Sequence, residues 1–200
     1  MFDNSLRMWK DRLGTPLAER MEHVPPNGIT WAALFLGLAA AGMAATGWYW
    51  GALVFWLLNR ALDGLDGLLA RLHEQQSDFG GYLDILLDFT VYALIPIGLA
   101  WSVGGKAVYL TLSLMLASFY VNSASWMYLA ALLEKRAART PETQTSVVMP
   151  AGLIGGFETV VAYCLFLCFP AQASVLFSGF AALVIFTAFQ RLAWAWKAIT

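Results

Sequence analysis

Asp63-Gly64-Leu65-Asp66-Gly67-Leu68-Leu69-Ala70-Arg71 and, eight residues on, Gly80-Gly81-Tyr82-Leu83-Asp84-Ile85-Leu86-Leu87-Asp88 decide how this 200-residue chain is read. Four aspartates and an arginine interrupt apolar sequence, where each charge costs roughly 2.5–3.5 kcal/mol on insertion scales. On a helix, Asp63, Asp66, Gly67 and Ala70 share one face, with Arg71 at its edge, because residues three and four apart stack. Leu62, Leu65, Leu68, Leu69 and Leu72 take the remaining faces. Gly80, Asp84 and Asp88 line one face of the following helix. If the eight-residue gap reverses the chain, the two acidic faces meet. Four carboxylates so close cannot all stay ionised unless cations sit between them. All-oxygen ligands favour a hard divalent ion, Mg²⁺ or Mn²⁺.

Working outward, 60% hydrophobic and 12% charged residues lie far from soluble usage and indicate a polytopic membrane protein of one domain. The net charge of −1 says nothing about partners. Cys164 and Cys168, in one apolar run, read as small core residues, implying neither a disulfide nor a metal site. Residues 1–24 carry charges throughout and do not read as a signal peptide. Arg7, Lys10, Arg12 and Arg20 with Trp9, Leu13, Leu17 and Met21 predict an amphipathic helix on the membrane surface, a disordered basic tail being the alternative. Pro25-Pro26 ends it. Asn27 or Thr30 then caps the first of six spanning segments, expected near 29–47, 51–72, 80–102, 106–134, 148–169 and 172–195. The chain from 25 to 200 is thus a six-helix transmembrane unit, all-α in class. Basic residues concentrate on the side of the N-terminus, and Lys106 alone lies opposite. The positive-inside rule therefore puts both termini and the acidic motif on the cytoplasmic side, as in a bacterial inner membrane protein. Asp63 lies roughly 13 Å of helix rise from the cytoplasmic end of its segment. Its cavity is reachable from the cytosol.

The spacing D-x2-D-G-x2-A-R-x8-G-x3-D-x3-D resembles the signature of the CDP-alcohol phosphatidyltransferases, integral membrane enzymes of phospholipid synthesis. Asp63, Asp66, Gly67, Ala70, Arg71, Gly80, Asp84 and Asp88 match every fixed position. The resemblance implies two divalent ions held by Asp63, Asp66 and Asp84, with Asp88 completing the second ion's site and acting as general base. It implies contacts to the CDP-lipid from Asp66, Gly67, Ala70, Arg71 and Gly80, from Ser77 as a small hydroxylic position, and from Asn27 and Thr30 in a Pro-Asn-x-x-Thr start to the first helix. Glycines at 67 and 80 let a ligand or a facing helix come close, and Arg71 suits a phosphate oxygen. Transfer follows attack by an alcohol on the lipid-side phosphorus, releasing CMP. A homodimer is the expected assembly.

Arg60, one turn before Asp63, and Glu158, read as mid-segment in the fifth helix, lie outside the signature. They read either as a neutralising pair stapling helices two and five, or, with Arg191, as a candidate acceptor pocket. His73 and Glu74 read as solvated loop residues. Three functions compete: transfer of a phosphatidyl group from CDP-diacylglycerol to a small alcohol, transfer of phosphocholine or phosphoethanolamine to diacylglycerol, and cation or proton transport. A compact six-helix chain favours the first. Acids clustered on one side, with no polar path across the bilayer, disfavour transport. The acceptor stays open between glycerol 3-phosphate and an uncharged or cationic alcohol. No pattern for a nucleic-acid partner is present.

Overall fold

The computed structural model describes residues 15–16, 18–21, 23–137 and 152–199. These are helical, without strands. Six α-helices follow in order: α1 Pro26–Ala45, α2 Tyr49–Leu72, α3 Asp78–Val103, α4 Lys106–Ala137, α5 Gly156–Cys168 and α6 Ala173–Ile199. Short 3₁₀ turns cover Glu19–Met21 and Pro170–Gln172. The expected surface helix over 1–24 falls largely outside the described residues.

Local chemistry sets the helix ends. α1 begins with Pro26 in its first turn after an extended Pro25, so neither Asn27 nor Thr30 is the cap. Proline suits that position because its missing N–H would be unpaired there anyway. Ser77 caps α3, its Oγ accepting a hydrogen bond from the Gly80 N–H at 3.0 Å. Pro96 sits buried inside α3 without ending it. The described turns joining α1 to α2, α2 to α3, α3 to α4 and α5 to α6 are short, so these neighbours run antiparallel. Gly47, with φ of +82°, closes the turn between α1 and α2, and Gly104 and Gly105, at +72° and +97°, close the one after α3.

Among the described residues, four helical segments are long and apolar enough to cross a membrane: Pro26–Ala45, Asp78–Val103, Lys106–Arg136 and Pro170–Ile199. Their outward faces carry large apolar side chains, Tyr120 being 80% and Val175 73% exposed. An apolar exterior of this kind suits lipid rather than water. α2 has the length but carries Arg60, Asp63, Asp66 and Arg71. α5 has only 13 residues. At 1.5 Å per residue that is about 20 Å, short of the roughly 30 Å hydrocarbon core. The fifth segment therefore differs from the expected 148–169, and its described helix starts only at Gly156.

α1 is the hub of the first half, packing along both α2 and α3, while α4 packs along α6. α2 and α3 make few direct backbone approaches to each other. They are held either side of α1 like the walls of a cleft. The close fit of α1 to α3 depends on small residues, since a β-carbon on Gly98 would collide with the Ala41 carbonyl oxygen. The main core gathers Trp56, Val91, Ile95, Leu99, Met115, Tyr163, Phe166 and Phe177 from five helices. A smaller cluster of Ala18, Ile29, Leu65, Leu68 and Leu69 seals the other end of α2.

Candidate active site

The two acidic faces do meet. Asp63 from α2 and Asp84 and Asp88 from α3 each bring a carboxylate oxygen within 4.8 Å of the other two. Three oxygens so placed suit a hard divalent cation. All three residues are half-buried. Asp66, one turn along α2, is 6% exposed and set apart, its Oδ2 accepting from the Thr30 hydroxyl at 2.7 Å. The same hydroxyl lies 3.2 Å from the Pro26 carbonyl. Its one proton favours the carboxylate, because bonds to a charged acceptor are stronger. Thr30 thus ties the start of α1 to the acidic face of α2.

A cavity of about 300 Å³ opens beside Asp66. Its walls come from Pro26, Asn27 and Thr30 on α1, Asp66, Gly67, Ala70 and Arg71 on α2, Gln75, Gln76 and Ser77 in the turn, and Gly80, Gly81 and Asp84 on α3. Every residue expected to touch a CDP-lipid lies on this lining. Gln75, Gln76 and Gly81 were not anticipated. Their signal in the sequence is only that they occupy the turn joining the two motif halves. Two glycines keep the cavity open. A β-carbon on Gly80 would sit 3.0 Å from Ser77 Oγ and 3.1 Å from Asn27 Oδ1, and one on Gly67 would sit 3.2 Å from Arg71 Nη1. A smaller pocket lies behind, lined by Thr30, Asn59, Asp63, Asp84, Asp88 and neighbouring apolar groups. Asp84 and Thr30 border both spaces.

Arg60 joins this cluster instead of pairing with Glu158. Its guanidinium grips Asp88 with both ends, Nη1 to Oδ2 at 3.0 Å and Nη2 to Oδ1 at 2.5 Å, and lies 3.4 Å from Asp63 Oδ2. The staple between helices two and five is therefore not formed. Glu158 is not mid-segment either. It stands in the first turn of α5, its carboxylate accepting from the Gly155 N–H at 3.0 Å. Gly155 has no side chain to return that bond, so half a capping box closes the helix start. Arg191 is turned toward α4, where Nη1 donates to Asn122 Oδ1 at 2.9 Å and Ser125 Oγ at 2.8 Å. Its Nε is buried with no hydrogen-bond partner among the described residues. Hydrogen bonding thus draws Glu158 and Arg191 away from the carboxylates and Arg60 onto them. His73, expected in a solvated turn, is half-buried with Nε2 3.1 Å from the Ala18 carbonyl oxygen. Asn59 and Tyr92 were missed, although both touch Arg60. Tyr92 had a signal, since it continues the i, i+4 line of Gly80, Asp84 and Asp88 by one more turn.

Comparisons with known proteins agree with this arrangement. The chain is 38% identical over 170 residues to the inner membrane protein YnjF of Escherichia coli (strain K12), a match spanning 84% of this chain and 82% of that one. Its fold is similar to that of the Mycobacterium tuberculosis phosphatidylinositol phosphate synthase solved with CDP-DAG bound, at TM-score 0.72 and 22% identity over 92% of this chain and 94% of that one. The same enzyme in complex with manganese and citrate superposes at TM-score 0.71, with 21% identity over 92% and 88% of the two chains. Residues 23–197 match the family model for CDP-alcohol phosphatidyltransferase, nearly the whole length of the chain, and the chain belongs to that family.

Proposed function

We propose that this protein transfers a phosphatidyl group from CDP-diacylglycerol to the hydroxyl of a small alcohol and releases CMP. One observation carries the reading: the cavity framed by Asn27, Thr30, Gly67, Arg71, Ser77 and Gly80 runs into the carboxylate cluster through a shared wall, Asp84. A nucleotide headgroup in the larger space would thereby place its pyrophosphate against the acids. The CDP-DAG and manganese of the mycobacterial structures support this choice of donor and ion.

Asp63, Asp66 and Asp84 would hold two divalent ions, with Asp88 completing the second ion's site. Such ions would supply charge neutralisation for the pyrophosphate and polarisation of the attacked phosphorus. Asn27 and Ser77 offer polar groups beside the Gly80 cradle for the nucleotide, and Arg71 offers its guanidinium to a phosphate oxygen. Asp88 accepts the proton of the incoming alcohol, its carboxylate aimed by the fork of Arg60. Arg191, on α6 against Asn122 and Ser125 of α4, is a buried cation on that side of the bundle, which makes glycerol 3-phosphate an acceptor to test alongside uncharged and cationic alcohols. The reading includes six crossings within residues 25–200, with α2 and α5 spanning inside the bundle, a cytosol-facing site in a bacterial inner membrane, and a homodimer measurable by light scattering.

The test is CMP release by purified protein given CDP-diacylglycerol and a panel of alcohols. Removing divalent ions with EDTA should cost several kcal/mol of barrier lowering, at least about 100-fold in rate, restored by Mg²⁺ or Mn²⁺. Full-rate release in chelator, or release supported by no alcohol in the panel, would sink the reading.

A further inference from the structure

The turn between the two halves of the acidic motif holds two glutamines that the family signature leaves unspecified, and both stand on the wall of the larger cavity. Their backbone is pinned at either end. Glu74, at φ of +54°, takes the left-handed position after α2 where glycine is usual. The Gln75 N–H then reaches back to the Ala70 carbonyl at 2.9 Å, the bond that closes a helix in a Schellman motif. His73, just before the turn, is anchored to the Ala18 carbonyl oxygen. On the far side, Ser77 is committed as the cap of α3. The chain from 75 to 77 is therefore fixed as backbone. The side-chain amides of Gln75 and Gln76, by contrast, are exposed and make no hydrogen bond among the described residues.

Their place along the cavity decides what they can hold. Leu72, the last residue of α2, lies six residues past Asp66, and Asp78, the first of α3, lies six before Asp84. At 1.5 Å per residue both helix ends are about 9 Å of rise from the acids. The glutamines thus stand at the end of the cavity remote from the carboxylates. With a pyrophosphate drawn toward the acids and Arg71, the part of a nucleotide that reaches the turn is its base. A base presents an uncharged edge of donors and acceptors, and a primary amide answers it with two N–H donors and one carbonyl acceptor. We propose that Gln75 and Gln76 recognise the nucleotide donor by hydrogen-bonding the edge of its pyrimidine base. The inference rests on the nucleotide-donor reading of the cavity and adds the side chains that tell a base-bearing donor from a bare sugar phosphate.

CMP and ribose 5-phosphate differ in the base alone, and each is titrated by calorimetry into full-length protein in detergent with saturating Mg²⁺. The double variant Gln75→Ala/Gln76→Ala should bind CMP roughly tenfold more weakly, as the loss of two neutral hydrogen bonds entails, and ribose 5-phosphate as before. Steady-state turnover gives a second reading: KM for CDP-diacylglycerol should rise by a similar factor, with kcat kept. Should the alanine pair fail to fold, Gln75→Met/Gln76→Met, of similar length without the amides, serves the same test. Unchanged CMP affinity in the double variant would overturn the inference. So would equal weakening of both probes, or a fall in kcat at unchanged KM, since the amides would then act on the sugar or the phosphates; either result leaves phosphatidyl transfer standing. No saturable CMP binding to the unaltered protein would overturn it as well, whereas failure of the function itself is read separately, from CMP release.

Discussion

A β-carbon placed on Gly80 would press on two polar atoms at once, Ser77 Oγ at 3.0 Å and Asn27 Oδ1 at 3.1 Å. Both line the larger cavity, and Ser77 also caps α3. Gly80→Ala should therefore narrow the nucleotide end of the cleft while leaving the carboxylates in place. The expected outcome is a KM for CDP-diacylglycerol raised about tenfold, some 1.4 kcal/mol of lost binding, with kcat less affected. Steady-state kinetics on the pure enzyme check it, and an unchanged KM would exclude Gly80 from the donor site. At this scale the acidic motif was legible because charge inside apolar sequence has few explanations. The partnership of Arg60 was not. Arg60 shares a helical face with Asp63, but the choice between Asp88 and Glu158 depends on how α3 and α5 sit around α2, which spacing along one helix does not encode.

At the scale of elements, hydrophobic runs located α1, α2, α3, α4 and α6 to within a few residues, since each is bounded by proline, glycine or polar turns. The fifth misled because hydropathy is blind to backbone conformation. Residues 152–156 read Gly-Leu-Ile-Gly-Gly, apolar enough to extend a span yet poor helix formers. Before α5 the chain instead docks on α6, with the Ile154 N–H bonded to Thr187 Oγ1 at 3.0 Å and the Leu153 N–H to Gln190 Oε1 at 3.1 Å. The α1–α3 contact yields a stability prediction. Gly98→Ala drives a methyl into the Ala41 carbonyl oxygen, a backbone atom that cannot turn aside. A cost of about 1–3 kcal/mol is expected, typical of overpacking. Gly179→Ala on α6, with open space around it, should be neutral or slightly stabilising. Thermal unfolding in detergent separates the two, and equal midpoints would mean that the helices part without strain.

For the whole molecule, Arg71, Lys135, Arg136 and Lys197 lie toward one end of the bundle and Lys106 at the other. By the positive-inside rule the proposed site is expected to face the cytosol. In a background lacking Cys164 and Cys168, cysteines placed at residues 138–146 should label only from the cytosolic side, and one at Gly104 only from outside. The reverse pattern would put the cleft on the wrong leaflet for a cytosolic nucleotide. The uneven packing of the helices has one more consequence. α2 and α3, on either side of α1, carry the four motif aspartates, while α4 and α6 lean on each other and touch that trio sparingly. The carboxylates and the paired helices α4 and α6 thereby lie on separate stretches of chain, joined at Gly104-Gly105, whose left-handed backbone favours glycine at both positions. A recombinant joining the first three helices to the last three of another family member would carry its four motif carboxylates over as one block.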